Sequence, residues 1–318
     1  MRILVTGGSG FLGRVLVAAL HDQGHEVTVV SRHPHADFDD IRTIRADLRD
    51  AAAVTAALQD LEVDGVCHLA ALTRVRDSFA DPAGYYATNV GGTANLLTAL
   101  APLQRPDRPL PFVLASTCAV YGPIDHPARE ADPPAPGNPY ASSKLAAEHL
   151  LGAQADLGGL AAITLRCFNA AGAAGPIHDT DLTRLIPKAV AVAAGQEPWL
   201  GLNGDGSAVR EFTHVEDLAD AFLLALQHAR PQEHTVLNVG SGQGVSLRQV
   251  LDEVERLAGH PLPIRRRPAQ NEPQALVADS TRIRKDLGWQ PERSSLQRII
   301  ADAWQAVKLM PAASTSSS

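Results

Sequence analysis

Apolar residues in the first half of the chain gather into short unbroken runs rather than a strict alternation with polar ones. "RILVT" (2–6), "EVTVVS" (26–31), "GVCHLA" (65–70), "PFVLAS" (111–116) and "AAITLR" (161–166) are of this kind. Such runs, bounded by turn residues, predict strands covered on both faces. Alanine-rich segments with helical spacing separate them, near 11–23, 50–60, 84–101 and 139–156. Strand and helix in alternation imply a parallel sheet with crossover helices. After about residue 170 the pattern loosens into Gly- and Pro-rich loops, with helices expected near 182–195, 215–229, 246–258 and 293–308. The expected fold is α/β: a doubly wound parallel sheet over residues 1–170, and a smaller α/β lobe for substrate over 171–310. The closing "PAASTSSS" (311–318) is too poor in apolar residues to order.

Composition narrows the function. The chain has 318 residues and a net charge of -7. An acidic chain lacks the basic surface that nucleic acid or anionic lipid requires, so neither is an expected partner. No apolar run approaches membrane-spanning length, and "MRILVTGGSG" leads straight into strand and turn; a cytoplasmic protein is expected. Cys67, Cys118 and Cys167 lie far apart without CxxC spacing, and His33 and His35 sit in a loop beside prolines, so no metal site is expected.

"LVTGGSGFLGRVL" puts Gly7, Gly10 and Gly13 between a strand and an apolar helix, with Phe11 and Leu12 opening that helix. Backbone N–H groups at such a turn receive a pyrophosphate, which points to a Rossmann-type dinucleotide site. At the end of the next strand, where an acid would accept the ribose 2′-hydroxyl of NAD, stand Ser31 and Arg32. An arginine there leaves NADP open beside NAD.

In "NPYASSKLAAEHL" (138–150), Tyr140 and Lys144 are four apart and share a helix face. A neighbouring ammonium and a bound nicotinamide cation both favour phenolate, so Tyr140 is a candidate base. Pro139 after Asn138 marks the helix start. "LASTCAVYG" (114–122) ends a strand with Ser116 and Thr117 at the carboxyl edge, where open α/β sheets place ligands. The Thr117 hydroxyl can relay a proton between substrate and Tyr140.

The GxxGxxG turn, the "VYG" segment and the YxxxK pair together resemble the extended short-chain dehydrogenases/reductases, and within them the nucleotide-sugar epimerases and dehydratases. The resemblance covers residues 1 to about 292. It implies catalytic roles for Thr117, Tyr140 and Lys144. It implies cofactor contacts at the glycine turn, at Asp47 and Leu48 of "ADLRD", at Leu69, Ala70 and Ala71 of "HLAAL", and at Asn89 of "NVGGTANLL". For substrate it implies Thr73, Ser116, Thr117, Asn169 of "RCFNAAGA", Leu185 and Arg210 of "GDGSAVREFTHVEDLADAF". Pairing as a homodimer through the helices near 84–101 and 139–156 is also implied.

Two departures bear on the reaction. The family's second diphosphate arginine has no counterpart in "RRRPAQNEPQALVAD" (265–279), although Arg267 could serve from a shifted loop. The Asp-Glu pair that dehydratases carry after the threonine is replaced by Cys118 and Ala119, which removes the acid and base for elimination. The expected activity is therefore inversion at C4 of a UDP-linked hexose or hexuronic acid, through a transient 4-keto sugar with bound NAD. Dehydration, decarboxylation or NADPH-dependent reduction of the same keto sugar is the alternative, and a non-catalytic nucleotide-binding regulator is a second. For the C6 end of the sugar the candidates are Thr73, Arg74 and Arg76.

Overall fold

A computed structural model describes residues 1–32, 40–231, 233–269 and 274–309. His33, His35 and the 311–318 tail lie outside them.

Five of the expected strands form: β1 (Arg2–Thr6), β2 (Glu26–Ser31), β4 (Gly65–His68), β5 (Leu110–Thr117) and β6 (Leu160–Cys167). Two more complete a seven-stranded parallel sheet: β3 (Arg42–Arg45) at one edge and His234–Val239 at the other. The order runs from the His234–Val239 strand through β6, β5, β4 and β1 to β2 and β3. The sheet thus draws its last strand from beyond residue 170. Both strands missing from the sequence reading are edges, where burial is incomplete and apolar runs are not demanded.

Alternation within the runs sorts side chains onto the two faces. Ile3, Val5, Val113, Ile163 and Leu165 pack with Leu16, Leu20 and Phe222 on one side. Leu4, Phe112, Leu114 and Ala162 pack with Leu96, Leu97 and Leu151 on the other. A third cluster around Ile186, Val190, Leu200, Val250 and Ile300 forms the core of the smaller lobe. There Val209–His214 pairs in parallel with Asn169–Ala171 and Ala275–Leu276, and antiparallel with Gly244–Ser246.

The helix expected near 84–101 is broken into Pro82–Tyr86, a π-helical turn Ala87–Gly91, and Gly92–Ala99. The π turn turns Asn89 into the interior, where it is 1% exposed. Short helices at Val75–Ala80 and Thr281–Leu287 were not legible in the periodicity. Among the described residues no helix is long and apolar enough to cross a membrane, and no cluster of His, Cys, Asp and Glu could hold a metal ion.

Candidate active site

Strand order reverses at β1, which has β2 on one side and β4 on the other. Ligands of open α/β sheets bind at such a switch point, outside the carboxyl ends of the strands. The glycine turn follows β1 directly. Gly7 has φ +74°, and a Cβ on it would stand 2.6 Å from the Ala70 nitrogen. A Cβ on Gly13 would stand 2.1 Å from the Gly7 carbonyl oxygen. Only glycine permits this approach. Gly10 closes the turn with a bond from its N–H to the Gly7 carbonyl at 3.0 Å and caps Phe11–Asp22 without any side-chain bond. The first N–H groups of that helix, through Phe11 and Leu12, are thus left for an anion, with no acidic side chain in the first turn. This cradle fits the diphosphate of a dinucleotide.

The other expected cofactor residues line the same edge. The half-buried Ser31 lies with its hydroxyl 3.4 Å from that of Ser9. Arg32 is exposed and its charge reaches Asp47, whose pKa falls to about 2, chiefly through the Arg49 guanidinium. Leu48 is buried, and its carbonyl accepts from Asn95 at 2.7 Å. Leu69, Ala70 and Ala71 follow β4 and are partly exposed. Asn89 accepts from the Leu72 N–H at 2.8 Å and donates to the Leu72 carbonyl at 3.1 Å and the Ser143 hydroxyl at 2.9 Å. Its amide ties the loop after β4 to the helix that carries Ser143.

That helix, Pro139–Ala155, starts as the sequence requires: the Asn138 side chain accepts from the Ala141 N–H at 2.9 Å, with Pro139 in the first position. Tyr140 and Thr117 come together, for the threonine hydroxyl is the group whose hydrogen bond holds the phenol's pKa down. Burial outweighs it and pushes the phenol up to about 12. The expected shift toward neutral pH joined the Lys144 ammonium to a bound nicotinamide cation, and the chain alone does not produce it. Burial lowers the Lys144 ammonium to about 8, against the charges of Glu148, one helical turn away, and Cys167, which raise it. After the Thr117 hydrogen bond, the charge of Arg184 also lowers the phenol's pKa. Tyr85 packs edge-on against the Tyr140 ring, with centroids 6.3 Å apart.

The substrate residues divide. Ser116 is turned inward, donating to the buried Glu148, which also holds Arg166. Thr73 is exposed on the loop whose next residue, Arg74, bonds Asp181 of the smaller lobe at 3.1 Å. Asn169 and Arg210 lie on the paired strands Asn169–Ala171 and Val209–His214, with Asn169 donating to the Glu211 carbonyl at 2.7 Å. Leu185 opens the helix Leu185–Ala193, directly after Arg184. Arg267 packs over Trp199, 5.4 Å from the ring centre, and residues 270–273 of its loop lie outside the description.

Residues 3–240 match the model of the NAD dependent epimerase/dehydratase family. The chain belongs to that family. A UDP-glucose 4-epimerase of Streptomyces lividans is 37% identical over 321 residues, covering 96% of this chain and 95% of its own. Among solved structures, UDP-glucose 4-epimerase from Brucella ovis in complex with NAD superposes with a TM-score of 0.88 at 34% identity, covering 96% of this chain and 97% of its own. MoeE5 in complex with UDP-glucuronic acid and NAD gives 0.86 at 32% identity, over 97% and 99%.

Beside this family's expected residues, sequence reasoning missed Glu148, Arg184, Tyr85 and His68. Glu148 carried a signal in its four-residue step beyond Lys144. Arg184 carried one in its place before an apolar helix. Tyr85 and His68 read as ordinary parts of a helix and a strand.

Proposed function

We propose that this protein inverts the configuration at C4 of a UDP-linked hexose or hexuronic acid, using tightly bound NAD. The observation that carries the reading is the meeting of Thr117 and Tyr140 at the carboxyl edge of the sheet, beside the glycine cradle at Gly7 and Gly13. Named relatives of full length add support, being UDP-glucose 4-epimerases or complexes of NAD with UDP-sugars.

The turn Gly7–Gly13, with Asp47, Leu48 and Leu69–Ala71, would hold NAD, which would supply a hydride acceptor and donor together with a positive charge. The chain's own residues manage the proton. Tyr140 takes it from the C4 hydroxyl, with Thr117 as relay, and returns it when the keto group is reduced on the opposite face. At a pKa near 12 the phenol is a strong base once ionised but is seldom ionised unaided, so an added positive charge is needed. Arg184 contributes in the same direction. Lys144 would hold the nicotinamide ribose, Asn169 and Arg210 the diphosphate of the UDP-sugar, and the backbone at Leu185 its nucleotide. Cys118 and Ala119 offer no acid or base for elimination. Asp47 beside Arg32 disfavours an added 2′-phosphate, which supports NAD over NADP.

The same reading takes the protein as a cytoplasmic homodimer. The exposed Phe79 and Tyr86, at 63% and 43%, lie next to the helical segments expected to pair.

The test is to incubate purified protein with UDP-glucose and with UDP-glucuronic acid and to follow the sugar signals by NMR. Conversion of either to its C4 epimer without added cofactor, and release of NAD on denaturation, are expected. Conversion of neither, or a strict need for added NADPH, overturns the reading.

A further inference from the structure

His68 ends β4, is 1% exposed, and has no part in the proton transfers above. Both ring nitrogens are engaged: Nδ1 lies 2.6 Å from the Thr6 hydroxyl and Nε2 lies 2.8 Å from the Thr93 hydroxyl. What the hydroxyls do next fixes the direction of both bonds. Thr93 gives its only proton to the Asn89 carbonyl at 2.7 Å, so toward His68 it can only accept, and Nε2 carries the hydrogen. Burial, with the charge of Lys144 nearby, drives the imidazole pKa down to about 3, so the ring is neutral and Nδ1 is bare. Nδ1 therefore accepts from Thr6, whose oxygen accepts in turn from the Ala70 N–H at 3.3 Å. The chain of bonds has one polarity, from Ala70 through Thr6, His68 and Thr93 to Asn89, and each donor meets an acceptor.

Its two ends reach the two halves of the site. Ala70 is the residue whose backbone leaves room at Gly7 for glycine alone. Asn89 grips Leu72 and donates to Ser143, which donates to the Tyr140 carbonyl at 2.7 Å. An unbroken path thus joins the glycine turn to the residue bearing the phenol.

We propose that His68 is a positioning residue: as a neutral imidazole protonated on Nε2, it fixes the cofactor-facing segment 70–72 to the glycine turn and, through Asn89, to the catalytic helix. This rests on the epimerase reading and deepens it.

Two measurements on the full chain test the proposal. In 15N-histidine-labelled protein the His68 ring is expected as the neutral Nε2–H tautomer throughout about pH 5.5 to 8. An Nδ1–H tautomer or a cation overturns the proposal. Thr93→Val keeps the bulk and removes the relay hydroxyl. It is expected to lower kcat about tenfold or more, to leave KM for the UDP-sugar within about twofold, and to lose NAD on gel filtration, with Thr93→Ser restoring both. Wild-type kcat and NAD retention with only a lower Tm would make His68 a packing residue and overturn the proposal. If Thr93→Val does not fold, the tautomer decides. If the wild type acts on no UDP-sugar, the epimerase reading fails, while NAD retention and the tautomer still decide this one.

Discussion

Arg166 and Glu148 form a buried two-pronged ion pair near Lys144, with Nη2 donating to Oε2 at 2.7 Å and Nε at 3.2 Å from both carboxylate oxygens. Side-chain exposure is 6% and 3%, and the guanidinium also stacks on Tyr121, 4.9 Å from its ring centre. The pair joins β6 to the helix Pro139–Ala155 while lending Lys144 a negative neighbour.

Breaking one side of this pair leaves a buried charge without its partner. Glu148→Ala is expected to lose about 3–5 kcal/mol of stability in urea unfolding. Replacing both partners together, Glu148→Leu with Arg166→Met, is expected to cost much less, because no charge is left behind. Equal losses in the single and double variants would contradict this account.

Tyr140→Phe removes the proton acceptor and keeps the ring packed on Tyr85. A loss of about 10²–10⁴ in kcat is expected with NAD still bound, as read from the absorbance of released nucleotide. Because the charge of Arg184 adds to the Thr117 hydrogen bond in opposing the rise of the phenol's pKa, Arg184→Met is expected to move the acid limb of the kcat/KM profile to higher pH. An unmoved limb would separate Arg184 from the phenol.

Burial lowers Lys144 from an ordinary 10.5 to about 8, so the amine is charged below that pH and neutral above it. NAD uptake by stripped protein is expected to weaken as the pH rises through about 8. Glu148 raises this pKa, so Glu148→Gln should move the loss to lower pH. Stability follows the opposite course. Between about 8 and 10.5 the unfolded chain binds more protons than the folded one, so this group favours folding increasingly as pH rises. Titration of NAD affinity against pH checks the first statement, and denaturant melts at matched pH check the second.

Gly13→Ala would press a methyl into the Gly7 carbonyl, at 2.1 Å from an ideal Cβ. The backbone must move to admit it. About 1–3 kcal/mol of stability and the bound NAD are expected to be lost together. Retained NAD in a variant of unchanged Tm would show the turn to be looser than its geometry.

Much of the active-site framework could be read directly. "LVTGGSGFLG" announced a tight turn because glycine alone tolerates such backbone approach, and "NPY" announced a helix start through a cap and a proline. The partner of Ser116 was not legible, for a physical reason. A hydroxyl at a carboxyl edge looks available to substrate until a carboxylate from another element is found against it, and Glu148 is 32 residues away in sequence. Asn89 has partners of the same remote kind, for the π turn puts its amide between the 70–72 loop and Ser143.

By itself the sequence determined which segments become buried strands, where the glycine turn lies, and that Tyr140 and Lys144 share a face. Those properties repeat every two or 3.6 residues and need no distant partner. The tertiary structure decided the two edge strands, the charge neighbours of the phenol and the lysine, and the direction of the His68 chain. Each of these depends on desolvation and on groups brought from remote parts of the chain, and local periodicity carries no record of either.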